Sequence, residues 1–204
     1  MTDRLPPTTD GLADAAEILR DGGLVAFPTD TVYGVACLAS LPDRLEALFA
    51  LKRRPLDRRI PMLVAGLDAV PAGWTVDERA LALADRFWPG ALTLVLPAAH
   101  GEGSQAFRAP DHPLALALIR DAGPLYATSA NVSDEPDTLD ADDVLIAFAT
   151  QPDGLAAVLD GGRVPGGVPS TVMDLTATPA RVLRDGPISR EQLAGVVDIS
   201  EGTS

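Results

Sequence analysis

The chain has 204 residues, 47% of them hydrophobic and 22% charged, which is enough apolar material for one domain with a substantial core. A formal net charge of -13 and a pI near 4.4 exclude a broadly basic nucleic-acid surface and leave only local basic patches for that purpose. The single cysteine, Cys37, excludes an intramolecular disulfide and a cysteine-cluster metal site; its apolar neighbours Val35, Ala36 and Leu38 point to a buried structural thiol.

Residues 1–9 begin Met-Thr-Asp-Arg and are expected to form a loose end with no basic-apolar-small leader pattern. Leu12, Ala15, Ala16 and Leu19 have helical spacing, and Gly22-Gly23 closes that helix. The apolar run Leu24 to Phe27 predicts a buried strand. It stops at Pro28-Thr29-Asp30-Thr31-Val32-Tyr33-Gly34, which places hydroxyls, a phenol and a turn glycine at a strand end. Pro42 suits the first turn of a helix carrying Leu45, Leu48 and Phe49. Lys52, Arg53, Arg54, Arg58 and Arg59 then concentrate five cations against one acid, Asp57. Such a patch serves either as a solvated helix end or as a rim that binds phosphates and carboxylates, for which the guanidinium fork is suited.

Ile60 to Val64 reads as a strand, Thr75 as the cap of a helix presenting Leu81, Ala84 and Trp88, and Ala91 to Leu96 as the next strand. Phe87-Trp88-Pro89-Gly90 reads as a structural aromatic helix end and turn. His112-Pro113 opens a helix that Gly123-Pro124 stops, and the short strand from Leu125 runs into Ser129-Ala130-Asn131. Asp140 can cap a helix through Phe148, and Ala156 to Leu159 is a strand. A glycine-rich loop follows, without the lysine and spacing of a P-loop. Thr171 to Leu175 and Ala180 to Leu183 read as a hairpin, and Ser189 with Gln192 as a capping box. This alternation predicts an α/β fold with a mixed sheet. No apolar run reaches the ~20 residues of a membrane span, so a soluble, cytoplasmic protein without membrane contact is expected. His100 and His112 sit in loops and make no Ser-His-Asp set, so a hydrolase is not expected.

Taken in order, these segments resemble the threonylcarbamoyl-AMP synthase family, whose fold is the YrdC-like domain. The landmarks are Pro28 to Gly34, Lys52-x-Arg54-Pro55, Phe87-Trp88-Pro89-Gly90-x-Leu92-Thr93, and Arg108-x-Pro110-Asp111-His112-Pro113. They continue with Ser129-Ala130-Asn131-x-Ser133, Leu159-Asp160-Gly161-Gly162, Ser170-Thr171-Val172 and Leu183-Arg184-x-Gly186. The resemblance implies a single-domain YrdC-like fold over residues 10–196, of the family's short type, with a twisted mixed sheet flanked by helices and loose ends at 1–9 and 197–204.

It also implies an activity: L-threonine, bicarbonate and ATP give threonylcarbamoyl-AMP and pyrophosphate, for modification of the adenosine beside the anticodon in certain tRNAs. On that resemblance, Lys52 and Arg54 are the catalytic pair. Lys52, Arg54, Arg58, Ser104, Asn131 and Arg184 bind ATP, and Thr31, Arg108, Ser129 and Ser170 bind L-threonine. Arg53 and Arg59 are read as solvated charge. ATP is a substrate with Mg²⁺ on its triphosphate, no metal site of the protein's own is implied, and the product passes to a tRNA threonylcarbamoyl-transferase complex. The chain departs from the family pattern at Arg59, Leu63, Asp134 and Pro169, where proline, histidine, glycine and glutamate are usual. A paralogue acting on a different carbamoylated substrate, an RNA-binding or ribosome-associated protein with weak tRNA affinity, and a hydrogenase-maturation carbamoyl-transfer module are the alternatives; the last brings zinc-finger cysteines that this chain lacks.

Overall fold

A computed structural model describes residues 2–53, 59–133, 135–151 and 154–200. In chain order the elements are β1 (Asp3–Leu5), α1 (Thr9–Arg20), β2 (Val25–Pro28), β3 (Tyr33–Leu38), α2 (Arg44–Lys52), β4 (Met62–Leu63) and α3 (Glu78–Phe87). There follow β5 (Leu92–Pro97), β6 (Ser104–Arg108), α4 (Pro113–Ala122), β7 (Leu125–Ser129), α5 (Ala141–Ala147), β8 (Ala157–Leu159), β9 (Thr171–Asp174), β10 (Arg181–Arg184) and α6 (Arg190–Ala194). The strands form one mixed sheet in the order β1-β8-β2-β3-β7-β4-β6-β5-β9-β10. This is the α/β architecture with a mixed sheet flanked by helices that the alternation predicts, including the antiparallel β9–β10 hairpin.

Side-chain alternation explains how the layers assemble. On β2, Val25 and Phe27 join a cluster with Ala15, Ala16 and Leu19 of α1 and Leu118 and Ile119 of α4. Leu24 and Ala26 face the other way, onto Leu48 and Leu51 of α2 and Val144 of α5. Strand β3 divides similarly, with Ala36 and Leu38 on the first side and Tyr33, Val35 and Cys37 on the second. The sheet is thus clad on both faces at β2 and β3. Beyond β7 a third cluster gathers Leu92, Leu94, Leu96, Phe107 and Met173 under Ala80 and Leu83 of α3 and Leu193 of α6. The intervening residues Thr93, Ala106, Arg108 and Val172 line a cleft on the opposite face of these strands.

Several expectations are corrected. Residues 3–5 are not loose: Asp3, Arg4 and Leu5 pair in parallel with Ala157, Val158 and Leu159. Arg4 also binds Asp160 at 2.7 Å and Asp142 at 2.8 Å, and the Thr8 hydroxyl caps α1. At the other end Val197 is buried and Ile199 bridges to Ala180, so residues 197–199 pack against the domain and are not loose. Helix α3 is capped by Asp77, which accepts the Ala80 N–H at 3.0 Å, whereas the Thr75 N–H bonds to Pro97 O. Strand β6 and the strand character of Tyr33–Leu38 were not predicted, and β4 is shorter than Ile60 to Val64. Gly22 follows α1 at φ 86°, a left-handed conformation that glycine adopts without a Cβ penalty.

Tyr33 is fully buried and is a structural phenol, not a site group. Its hydroxyl donates to Gly162 O at 2.8 Å and accepts from Gly161 N at 3.1 Å, joining β3 to the glycine-rich loop after β8. Burial pushes this phenol up to about 12. Tyr33→Phe should cost about 1–3 kcal/mol, because it removes two part-buried hydrogen bonds to the glycine-rich loop at about 0.5–1.5 kcal/mol each; urea denaturation measures this. Since the folded phenol titrates above its ordinary value of about 10, its contribution is complete below that pH. That contribution falls as pH rises toward about 12, and the alkaline loss should shrink in the Phe variant.

Candidate active-site cleft

The turn joining β2 to β3 is held by its own hydroxyls. Thr29 Oγ1 donates to Val32 O at 2.6 Å, lies 3.2 Å from Thr31 Oγ1, and accepts the Thr31 N–H at 3.3 Å. This Asx-like use of a hydroxyl fixes a turn without glycine and leaves Thr31 on the cleft wall. The cleft encloses about 420 Å³, a volume that suits a small-molecule ligand.

Arg108, on β6, stands on that wall with its side chain 12% exposed. Its Nε donates to Gly90 O at 2.9 Å and its Nη2 to Asp30 Oδ2 at 2.5 Å. Burial holds the guanidinium below its usual range, and the neighbouring Asp30 charge opposes that shift. Arg184, at the end of β10, reaches back to Ser170, with Nε donating to its carbonyl at 3.0 Å and Nη2 to its hydroxyl at 3.2 Å. The buried Ser170 hydroxyl is 2.8 Å from Thr93 Oγ1 on β5. Gly186 makes this close return possible: a Cβ there would lie 2.4 Å from Thr171 N and 2.6 Å from Pro169 O.

Lys52 differs most from expectation. It is the last residue of α2, is 2% exposed, and belongs to no surface patch. Its Nζ donates to the Ser129 carbonyl, to Ser129 Oγ at 3.3 Å and to Asn131 Oδ1 at 3.1 Å. Ser129 Oγ donates to Asn131 Oδ1 at 2.7 Å, and Asn131 Nδ2 to Glu135 O at 2.6 Å. Lys52 and Asn131 thus form a buried bracket behind Ser129, which itself lines the cleft. Arg59 is more than solvated charge: it lines the cleft and donates to Ser104 Oγ at 2.6 Å. Ser104 supports Arg59 and is not among the cleft-lining residues. Arg53 ends α2 at φ 50° and lines a separate cavity of about 360 Å³ with Glu135, Asp143 and Ile146.

Thr31, Arg108, Ser129, Ser170 and Arg184 therefore converge on one cleft, with Lys52, Asn131 and Ser104 behind it. Arg54, Arg58 and Asp134 lie outside the described residues. Thr29, Asp30 and Thr93 were missed; Thr93 carries a signal, as a lone hydroxyl between core leucines 92 and 94. Among the described residues no group of three or more His, Cys, Asp or Glu side chains could hold a metal ion. Phe87 and Trp88 are structural as expected, the indole N–H donating to Leu92 O at 2.7 Å.

Residues 17–186 match the family model for Sua5, YciO and YrdC proteins, described as "Telomere recombination". The threonylcarbamoyl-AMP synthase of Bacillus subtilis is 39% identical over 97% of this chain and 59% of its own length. A putative threonylcarbamoyl-AMP synthase of Mycobacterium tuberculosis is 35% identical over 93% of this chain and 90% of its own. The solved structure of P. abyssi Sua5 complexed with L-threonine superposes with a TM-score of 0.85 at 33% identity, covering 98% of this chain and 62% of that one. The chain thus spans about three fifths of the Bacillus and Pyrococcus proteins and nine tenths of the mycobacterial one. By a family match over most of its length and by these relatives, the chain belongs to the Sua5/YciO/YrdC family.

Proposed function

We propose that the chain is a threonylcarbamoyl-AMP synthase that joins L-threonine, bicarbonate and ATP. The observation that carries this reading is the cleft itself. The Arg108 guanidinium and Thr31 both line it, and two further arginines, Arg59 and Arg184, line the same space. That set can take one carboxylate and a polyphosphate together. The relatives' names and the L-threonine bound to P. abyssi Sua5 support the same substrates.

The threonine amine adds to the carbon of bicarbonate, and loss of water leaves a carbamate. A carbamate oxygen then attacks the α-phosphorus of ATP; the new P–O bond forms as the bond to the β-phosphate breaks, and pyrophosphate departs. No protein nucleophile is required, so the chain contributes positioning and charge neutralisation. Arg108 and Thr31 hold the amino acid, with Ser129 and Ser170 adding hydroxyls. Arg54, Arg58, Arg59 and Arg184 hold phosphates, and Lys52 with Asn131 keeps Ser129 in register. Mg²⁺ carried on the triphosphate would offset part of its negative charge, held through phosphate oxygens and water. The product passes to a tRNA threonylcarbamoyl-transferase, and the reaction belongs to the cytoplasm. The net charge of -13 argues against RNA binding as the primary role.

Purified protein with ATP, Mg²⁺, bicarbonate and L-threonine should release pyrophosphate and form threonylcarbamoyl-AMP, with no product when bicarbonate is withheld. Arg54→Ala should abolish turnover, and full activity in that variant would overturn its assignment. Because Leu63 and Pro169 both line the cleft, the assay should include serine and other amino acids. A preference for one of those identifies a paralogue of altered substrate. Lys52→Met should lose about 1–3 kcal/mol of stability through its stranded oxygen acceptors, together with most of the activity; chemical denaturation and steady-state kinetics read the two effects separately.

A further inference from the structure

Asp30 lies in the turn between β2 and β3, and its side chain is 16% exposed. Its Oδ2 accepts from Arg108, while Oδ1 is sealed from solvent and has no hydrogen-bond partner among the described residues. A carboxylate kept this way loses hydration at one oxygen with no local return, so the other oxygen's bond must carry the gain. The arginine side of the pair is equally informative. Nε and Nη2 form one edge of a guanidinium, and that edge is committed to Gly90 O and Asp30 Oδ2. Nη1, at the other edge, has no protein acceptor among the described residues, on a side chain that lines the cleft. An edge of two parallel N–H groups is the geometry that accepts a carboxylate in a bidentate fashion.

We propose that Asp30 is a positioning residue: with Gly90 O it clamps one edge of the Arg108 guanidinium so that the other edge is the carboxylate receptor of the cleft. This rests on the reading of Arg108 as the group that takes the amino-acid carboxylate. Asp30 touches no substrate; it acts through Arg108. The clamp fixes the rotation of a side chain that would otherwise spend binding energy on being ordered. It also pairs the buried cation in the free protein, so the cleft presents a directional fork in place of an unbalanced charge. His112 lies near enough for the Asp30 charge to act on it, and its Nδ1 is likewise buried without a partner among the described residues. Asp30 is thus the shared electrostatic neighbour of both groups.

The test compares wild type with Asp30→Ala, Asp30→Asn, Arg108→Ala and the Asp30→Ala/Arg108→Ala double variant, after thermal melts show which are folded. Calorimetry with L-threonine and, separately, with ATP gives the binding terms. Asp30→Ala should weaken L-threonine about 10- to 100-fold and ATP by less than about twofold, the pattern expected when one charge-assisted contact is lost. Preference for L-threonine over L-threoninamide should collapse alongside. Asp30→Asn keeps an oxygen acceptor and should recover part of the loss. The double variant should bind no worse than Arg108→Ala, because the two residues act as one unit. Unchanged threonine affinity in a folded Asp30→Ala protein, additive losses, or equal weakening of both ligands would each overturn the proposal. Should wild type bind no L-threonine, the functional reading fails, and nitrogen-15 NMR of the arginine side chains decides the clamp independently. Slowly rotating, resolved Arg108 Nη signals that merge in Asp30→Ala support it; merged signals in wild type refute it.

Discussion

The site depends on unequal coverage of one sheet. Helices α1 and α4 on one face and α2 and α5 on the other clad β2 and β3, so alternate side chains along them are core residues in both directions. Across β5, β6 and β9, α3 and α6 supply the cover for one face, gathering the leucines of β5, Phe107 and Met173. The same period-2 alternation then delivers Thr93, Arg108 and Val172 to the other face. Cleft and core are therefore two readings of the same strands. A one-residue register slip in β5 or β6 would exchange them, carrying an arginine into the apolar cluster and a phenylalanine into the cleft. The ladder Leu94↔Phe107, Val95↔Ala106 and Leu96↔Gln105 prevents that slip.

The border between the two regimes is β7, which runs from a core residue, Leu125, to a cleft residue, Ser129. Its end is where the ammonium of Lys52 is spent. A buried lysine is expensive unless its donors are met, and here the Ser129 carbonyl, the Ser129 hydroxyl and the Asn131 amide oxygen receive it. The bracket ties the C-terminus of α2 to the strand end, and the Ser133 N–H to Lys52 O bond ties the following loop to the same point. Because the last turn of a helix carries partial negative charge, a lysine there gains a little further stabilisation. The cost of burial thus yields a serine whose position is set from behind.

What was legible in the sequence follows from how local each determinant is. The Ser189/Gln192 capping box, the Asp140 cap and the β9–β10 hairpin are written within a few residues, and each formed. Strand β6 was not legible because Ser-Gln-Ala-Phe-Arg offers one core side chain, Phe107, and owes its extended form to β5 and β4 on either side. Strand β1 is polar and exists because β8 offers it an edge 154 residues away. In the site, Thr31, Arg108, Ser129, Ser170 and Arg184 line one cleft. The burial of Lys52 and the pairing of Arg108 with Asp30, 78 residues apart, could not be read off. Lysine and arginine are ordinarily exposed, and only the tertiary fold shows which of them has surrendered its water.

The two best-defined arginines of the cleft are prepared differently, and the difference matches the ligands they would meet. Arg184 is exposed and rests on neutral oxygens of Ser170, so its charge is not cancelled by its support. A cation held this way attracts a polyanion over a distance set by screening, which suits a triphosphate arriving from solvent. Arg108 is nearly buried and paired with a carboxylate, so its net field is small. What it retains is an oriented edge of donors in a region of low dielectric, where a hydrogen bond is strong at contact and weak beyond it. A small amino acid carries one carboxylate whose direction must be fixed if its amine is to be aimed at a reacting centre. In a chain with a net charge of -13, long-range attraction is scarce; on the proposed reading it is kept for the phosphate end of the cleft, while the carboxylate end relies on geometry instead.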